Sequence, residues 1–219
     1  MPQPVHYSHK IDFNFLPDSL LQRPKLAVLI AIISASWNEA EARLWAFLAA
    51  LVGDEANTVI SIFLALQSDS ARRATIETIA SLKLTKIEQD EFDDIMSRLG
   101  KRNGERNAVV HGAWGISSKY PDNLLWADVR DTTKLHVRMI QLSAPEHATE
   151  RSELLIATQK SLMVYSKEDL ANIIQRIQSD SDDLALFSKP FMENALDAMP
   201  KLTSQSFSLR HNDADTSNC

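Results

Sequence analysis

The chain has 219 residues, 44% of them hydrophobic and 24% charged, with a formal net charge of −6. That balance fits a soluble globular chain with enough apolar material for a core, and it excludes a generally basic nucleic-acid coat. A single cysteine, Cys219, excludes an internal disulfide framework and a cysteine-based metal site.

Residues 1–23 carry Pro2, Pro4 and Pro17 among scattered aromatics, which predicts an irregular arm docked through Phe13, Phe15 and Leu16. His6 and His9 have a spacing that could reach a metal, yet no third ligand lies near, so a surface arm is the simpler reading. Pro24 suits the first turn of a helix. From there to about Val52, Leu26, Leu29, Ile30, Ile33, Trp37, Leu44, Leu48 and Leu51 recur at helical spacing, and Gly53 can stop the helix. Its first half is apolar nearly all round, which predicts the centre of a bundle or an interface. The most apolar run, Leu26 to Ile33, is far shorter than the roughly 20 residues of a bilayer span. No export segment is read, and a cytoplasmic location is expected.

Residues 55–66 and 71–82 read as two further helices, separated by the capping residues of 67–70. Thr85 and Glu88 form a capping-box pattern at the start of a fourth. Phe92, Ile95, Met96 and Leu99 mark its buried face, and Val109, Val110 and Ala113 resume the pattern. Gly100 and Gly104 each cost about 1 kcal/mol in a helix interior, which predicts a break or the meeting of two helices near 100–104.

Beyond Trp114 the texture becomes β-like. Residues 124–129, 135–142 and 161–165 are expected to form a small antiparallel β appendage, with Asp131 to Lys134 as a hairpin loop. Ser166 can cap a last helix from Lys167 to about Phe187, which Pro190 and Pro200 interrupt. The acidic run Asp180, Asp182 and Asp183 reads as a solvated face. The chain thus divides into an arm (1–23), a helical bundle (24–116), a hairpin appendage plus C-terminal helix (117–199) and a disordered tail (200–219).

The stretch from Arg106 to His111 holds the chemistry. Arg grips phosphate with a planar fork of donors, and His exchanges protons near neutrality. Residues 98–106 carry four cations, Arg98, Lys101, Arg102 and Arg106, against one anion, Glu105, which predicts a focused positive patch on an acidic protein. Asn103, Asn107 and His111 line one helix face, whereas Arg106 lies about 140° from His111. One chain does not aim both groups at one point; two chains about a twofold axis can. Glu41, beside the apolar face of the first helix, wants a cationic partner. It either orients Arg106 or His111, or forms a structural pair with Arg73 or Arg102.

Arg106-Asn107-x-x-x-His111 resembles the Arg-x(4–6)-His signature of the HEPN superfamily, and Trp37-x-x-x-Glu41-x-x-Leu44 is similar to the long first helix of such proteins. The resemblance spans about residues 24–116. It implies a mainly α, HEPN-like bundle and a metal-independent endoribonuclease that works as a homodimer without a cofactor, as in toxins or phage defence. It also implies that Arg106, His111 and Asn107 are catalytic, Asn107 orienting the imidazole or the phosphate, with Glu41, Arg102 and Asn103 in support. Some superfamily members are scaffolds, so the rival expectation is a non-catalytic dimerisation module that binds a partner protein. A toxin paired with an antitoxin is a third.

Overall fold

In the computed structural model, which describes residues 2–5 and 12–198, the described chain is mainly helical with one small antiparallel sheet. The arm contributes strand β1 (Gln3–Pro4) and a 3-10 turn at Pro17–Ser19. Helices α1 (Pro24–Val52), α2 (Ala56–Ala65), α3 (Asp69–Lys83) and α4 (Lys86–His111) follow. Then come β2 (Ala113–Gly115), β3 (Leu124–Ala127), α5 (Val129–Gln141), α6 (Ala148–Gln159), β4 (Met163–Tyr165) and α7 (Lys167–Ala198). His6, His9, Cys219 and the tail from 200 lie outside the described residues.

Local signals hold where they are strong. Gly53 ends α1 at φ 60°, a conformation that favours glycine. Thr85 and Glu88 close their capping box, the Glu88 carboxylate accepting the Thr85 amide at 2.8 Å. Ser166 and Asp169 form the same reciprocal pair at the start of α7.

Four expectations are corrected. First, α4 runs unbroken through Gly100 and Gly104. Leu99 and Val109 anchor it in the core, and tertiary packing overrides the weak glycine preference. Second, residues 135–141 are helical, and the expected hairpin loop 131–134 lies in the first turns of α5. Asp128 caps that helix by accepting the Arg130 amide at 2.8 Å. Leu135, Val137 and Met139 alternate, but Val137 and Ile140, three apart, fit a helical period, and the cap decides between the two. Third, α7 passes through Pro190 to Ala198. The carbonyl that Pro190 leaves without a donor belongs to Leu186, on the solvent side, where water can satisfy it. Fourth, Val28 and Ile32 remain exposed, so the first half of α1 does not lie at the centre of the bundle, and of the two expectations the interface is left.

The core lies where α1, α4 and α7 meet. Phe47, Phe92 and Phe187 form its centre, with ring centroids 5.2–5.8 Å apart. The C-terminal helix, expected beside the appendage, is therefore a central member of the bundle.

The sheet has the order β1-β4-β3-β2. Its strands alternate in the way a two-sided sheet requires. Leu124, Trp126, Trp114 and Tyr165 pack on the bundle, while Leu125, Ala127 and Val164 pack beneath Phe13 and Phe15 of the arm. The sheet is thus clasped between bundle and arm, and it abuts the end of α4.

Candidate active site

The last turn of α4 leaves backbone carbonyls without intrahelical donors. Two tryptophans from the sheet supply them. Trp126 Nε1 donates to the Ala108 carbonyl at 2.7 Å, and Trp114 Nε1 donates to that of Val109 at 3.0 Å. The two residues face each other across the β2–β3 ladder. Gly112 follows directly in extended backbone (φ −76°, ψ 155°), so its role is space rather than conformation. A Cβ there would run into the Trp126 indole. The motif is in this way pinned at its C-terminal end.

Within that pinned segment the three motif residues differ in what holds them. His111, the final residue of α4, is exposed and has no hydrogen-bond partner among the described residues. Arg106 is half-buried, and its Nη1 donates to Asn107 Oδ1 at 2.8 Å. Its Nε is buried with no partner among the described residues. Among the described residues no carboxylate pairs with it, and Asn107 Oδ1 is the acceptor it meets.

The expected positive patch is corrected. Arg98 pairs with Asp94 at 3.1 Å on its own helix and with Asp180 and Asp183 of α7, each at 2.6 Å. Arg102 joins Asp180 and Glu105, both at 2.9 Å, and Arg176 of α7 also reaches Glu105. Asp180 is buried while Asp182 and Asp183 stay exposed, so the acidic run of α7 is a solvated face only in part. Asp180 and Asp183 are the counter-charge to α4. Arg102 therefore serves the helix–helix seam, and Arg106 is left as the arginine of α4 without an acidic partner among the described residues.

Glu41 and Asn103 meet elsewhere. Both line a cavity of about 230 Å³ enclosed by α1, α2, α3 and α4, over an aromatic wall of Trp37, Trp45 and Phe63. Glu41 forms no hydrogen bond or ion pair among the described residues, so it neither orients Arg106 or His111 nor pairs with Arg73 or Arg102. Asn103 shares a helix face with Asn107 and His111 but faces this cavity.

Sequence reasoning missed the tryptophan clamp, the pairing of Asp180 with α4 and the place of Arg72 at the cavity. The clamp and Asp180 carry no local signal, because each acts on a helix remote in sequence. His147 meets only Glu150, at 3.1 Å on the surface. Among the described residues no group of three His, Cys, Asp or Glu side chains is placed to hold a metal, and no helix is long and apolar enough to cross a membrane.

No family model, curated protein or solved structure matches this chain.

Proposed function

We propose that the protein is a cytoplasmic, HEPN-like endoribonuclease that acts as a homodimer and needs no metal. One observation carries the reading: the two reactive side chains of the motif are uncommitted. Among the described residues His111 is exposed and unpartnered and Arg106 keeps a buried, unsatisfied donor, while Arg98 and Arg102 of the same helix are tied to carboxylates.

The chemistry follows from those groups. His111 takes the proton of an RNA 2′-hydroxyl, and the oxygen attacks the adjacent phosphorus. The bond from phosphorus to the 5′-oxygen breaks, and the imidazolium returns its proton to that leaving oxygen. The products are a 2′,3′-cyclic phosphate and a 5′-hydroxyl. Arg106 stabilises the charge that builds on the phosphoryl oxygens. Proton transfer by a placed imidazole contributes typically about 10²–10⁴-fold. Since the two side chains diverge on one helix, a complete site draws on two copies of the motif. A role as a toxin or phage-defence effector rests on the resemblance alone.

The test is cleavage of a broad RNA panel by purified protein in EDTA, with the cyclic-phosphate end identified. The expected result is cleavage that His111→Ala and Arg106→Ala abolish. Identical behaviour of wild type and His111→Ala sinks the reading.

The neutralisation of Arg98 and Arg102 by α7 favours a second reading, a non-catalytic HEPN-like dimerisation module. Less cationic surface remains there for a polyanion, and a protein partner or antitoxin would then be the ligand.

A further inference from the structure

The cavity that holds Glu41 has a lining unlike that of a packing defect. Trp45 and Phe63 meet edge to face at 4.1 Å and, with Trp37, build an apolar wall. Three formal charges line the same space: the Glu41 carboxylate and the Arg72 and Arg73 guanidinium groups.

The charges are held for use. Arg72 spends its Nε on the Leu66 carbonyl at 2.8 Å and sits 5.9 Å over the Phe63 ring. Arg73 spends its Nε on Glu77 at 2.7 Å. The terminal nitrogens of both have no partner among the described residues. Arg73 also lies where a side chain at position 100 would stand, so Gly100 makes room for it on α4. A glycine inside a long helix is costly, and here it frees space for one guanidinium at this cavity. Glu41, half-buried beside the aromatic wall, is the group most in need of a donor.

Ligand classes can be sorted by those charges. A purely apolar molecule leaves Glu41 uncompensated. An anion satisfies the arginines but brings its charge beside Glu41. A cation satisfies Glu41 but meets two guanidinium groups. A molecule carrying both charges on an aromatic body satisfies all three. At about 230 Å³ the cavity exceeds the ~150 Å³ that admits benzene, so an aromatic ring fits it.

We propose that this cavity binds a small aromatic zwitterion of the amino-acid class, its ring against Trp37, Trp45 and Phe63, its carboxylate on Arg72 and Arg73, and its ammonium on Glu41. The site stands apart from the Arg106–His111 motif and does not depend on RNA cleavage.

The test is calorimetric titration of the full chain with three probes: L-tryptophan, indole-3-propionate, which lacks the ammonium, and tryptamine, which lacks the carboxylate. L-tryptophan is expected to bind at least ~10-fold more tightly than either, because each analogue strands a charged group. Glu41→Gln, nearly isosteric, is expected to erase the preference over indole-3-propionate and keep that over tryptamine. Absence of binding by all three probes, or equal binding of all three, overturns the proposal. So does an unchanged preference in a Glu41→Gln protein whose near-ultraviolet circular dichroism is native. The three-probe comparison on the unaltered chain decides alone if the variant does not fold.

Discussion

Trp126 donates its indole N–H to the Ala108 carbonyl at 2.7 Å, and the same ring occupies the space that a side chain at Gly112 would need. One residue of the sheet thereby sets both where α4 ends and what may follow it. The motif at 106–111 is held from outside its own helix, and the glycine after it is a steric requirement.

Gly112→Ala should therefore destabilise the protein. The added methyl group displaces Trp126 and orphans the Ala108 carbonyl, at a cost of ~1–3 kcal/mol. Gly104 is the control, because it is exposed and nothing stands within 4 Å of a Cβ built there. Gly104→Ala should stabilise by about 0.5–1 kcal/mol. Urea unfolding of both variants checks the pair, and a Gly112→Ala protein as stable as wild type refutes the clamp.

Asp180 joins Arg98 and Arg102 across the α4–α7 seam from a buried position. Asp180→Asn should cost about 3 kcal/mol, because two arginines lose their shared counter-charge. Asp183, with a half-exposed side chain, shares only Arg98, and Asp183→Asn should cost under ~1 kcal/mol. Equal losses in denaturant melts would contradict this division of labour.

If a site is assembled from two copies of the motif, inactive variants should complement each other. Arg106→Ala and His111→Ala proteins, mixed and refolded together, should recover RNA cleavage that neither has alone. The mixed dimer keeps one intact arginine opposite one intact histidine. Recovery absent from a verified mixed dimer would place both groups in a single subunit.

At the start of α5, hydrogen bonds from Arg130 hold the Asp128 carboxyl down to about 2. A depressed carboxyl stabilises its helix above the ordinary range near 3.8 and loses that contribution as pH falls from there toward about 2. Carbon-13 titration should find the low midpoint, and Arg130→Ala should raise it. A midpoint in the ordinary range in the wild-type protein would contradict the cap.

Features encoded within one turn were readable from the letters. Thr85 and Glu88, or Ser166 and Asp169, act on backbone three residues away, so the pattern and the contact are nearly the same thing. The long α1 was legible because its periodicity extends over many turns. Residues 135–141 were not, because a short amphipathic stretch satisfies two periods and only the Asp128 cap separates them. In the candidate site, the types and spacing of Arg106, Asn107 and His111 were visible, but their surroundings were not. Asp180 neutralises α4 from α7, and Trp126 clamps it from β3. Arg73 explains Gly100 from α3. Each of these partners is distant in sequence, where local pattern carries no information.

The ion pair between Arg43 and Asp182 joins residues 139 apart, and Phe47 meets Phe187 in the same seam. The chief partner of α1 is thus the last helix described, and β1 likewise pairs with β4, just before it. During synthesis the apolar face of α1 leaves the ribosome long before α7 can cover it. The nascent chain must carry that face exposed, and core assembly waits on its distal end. The order of the helices thus sets the order of assembly, before any question of catalysis arises.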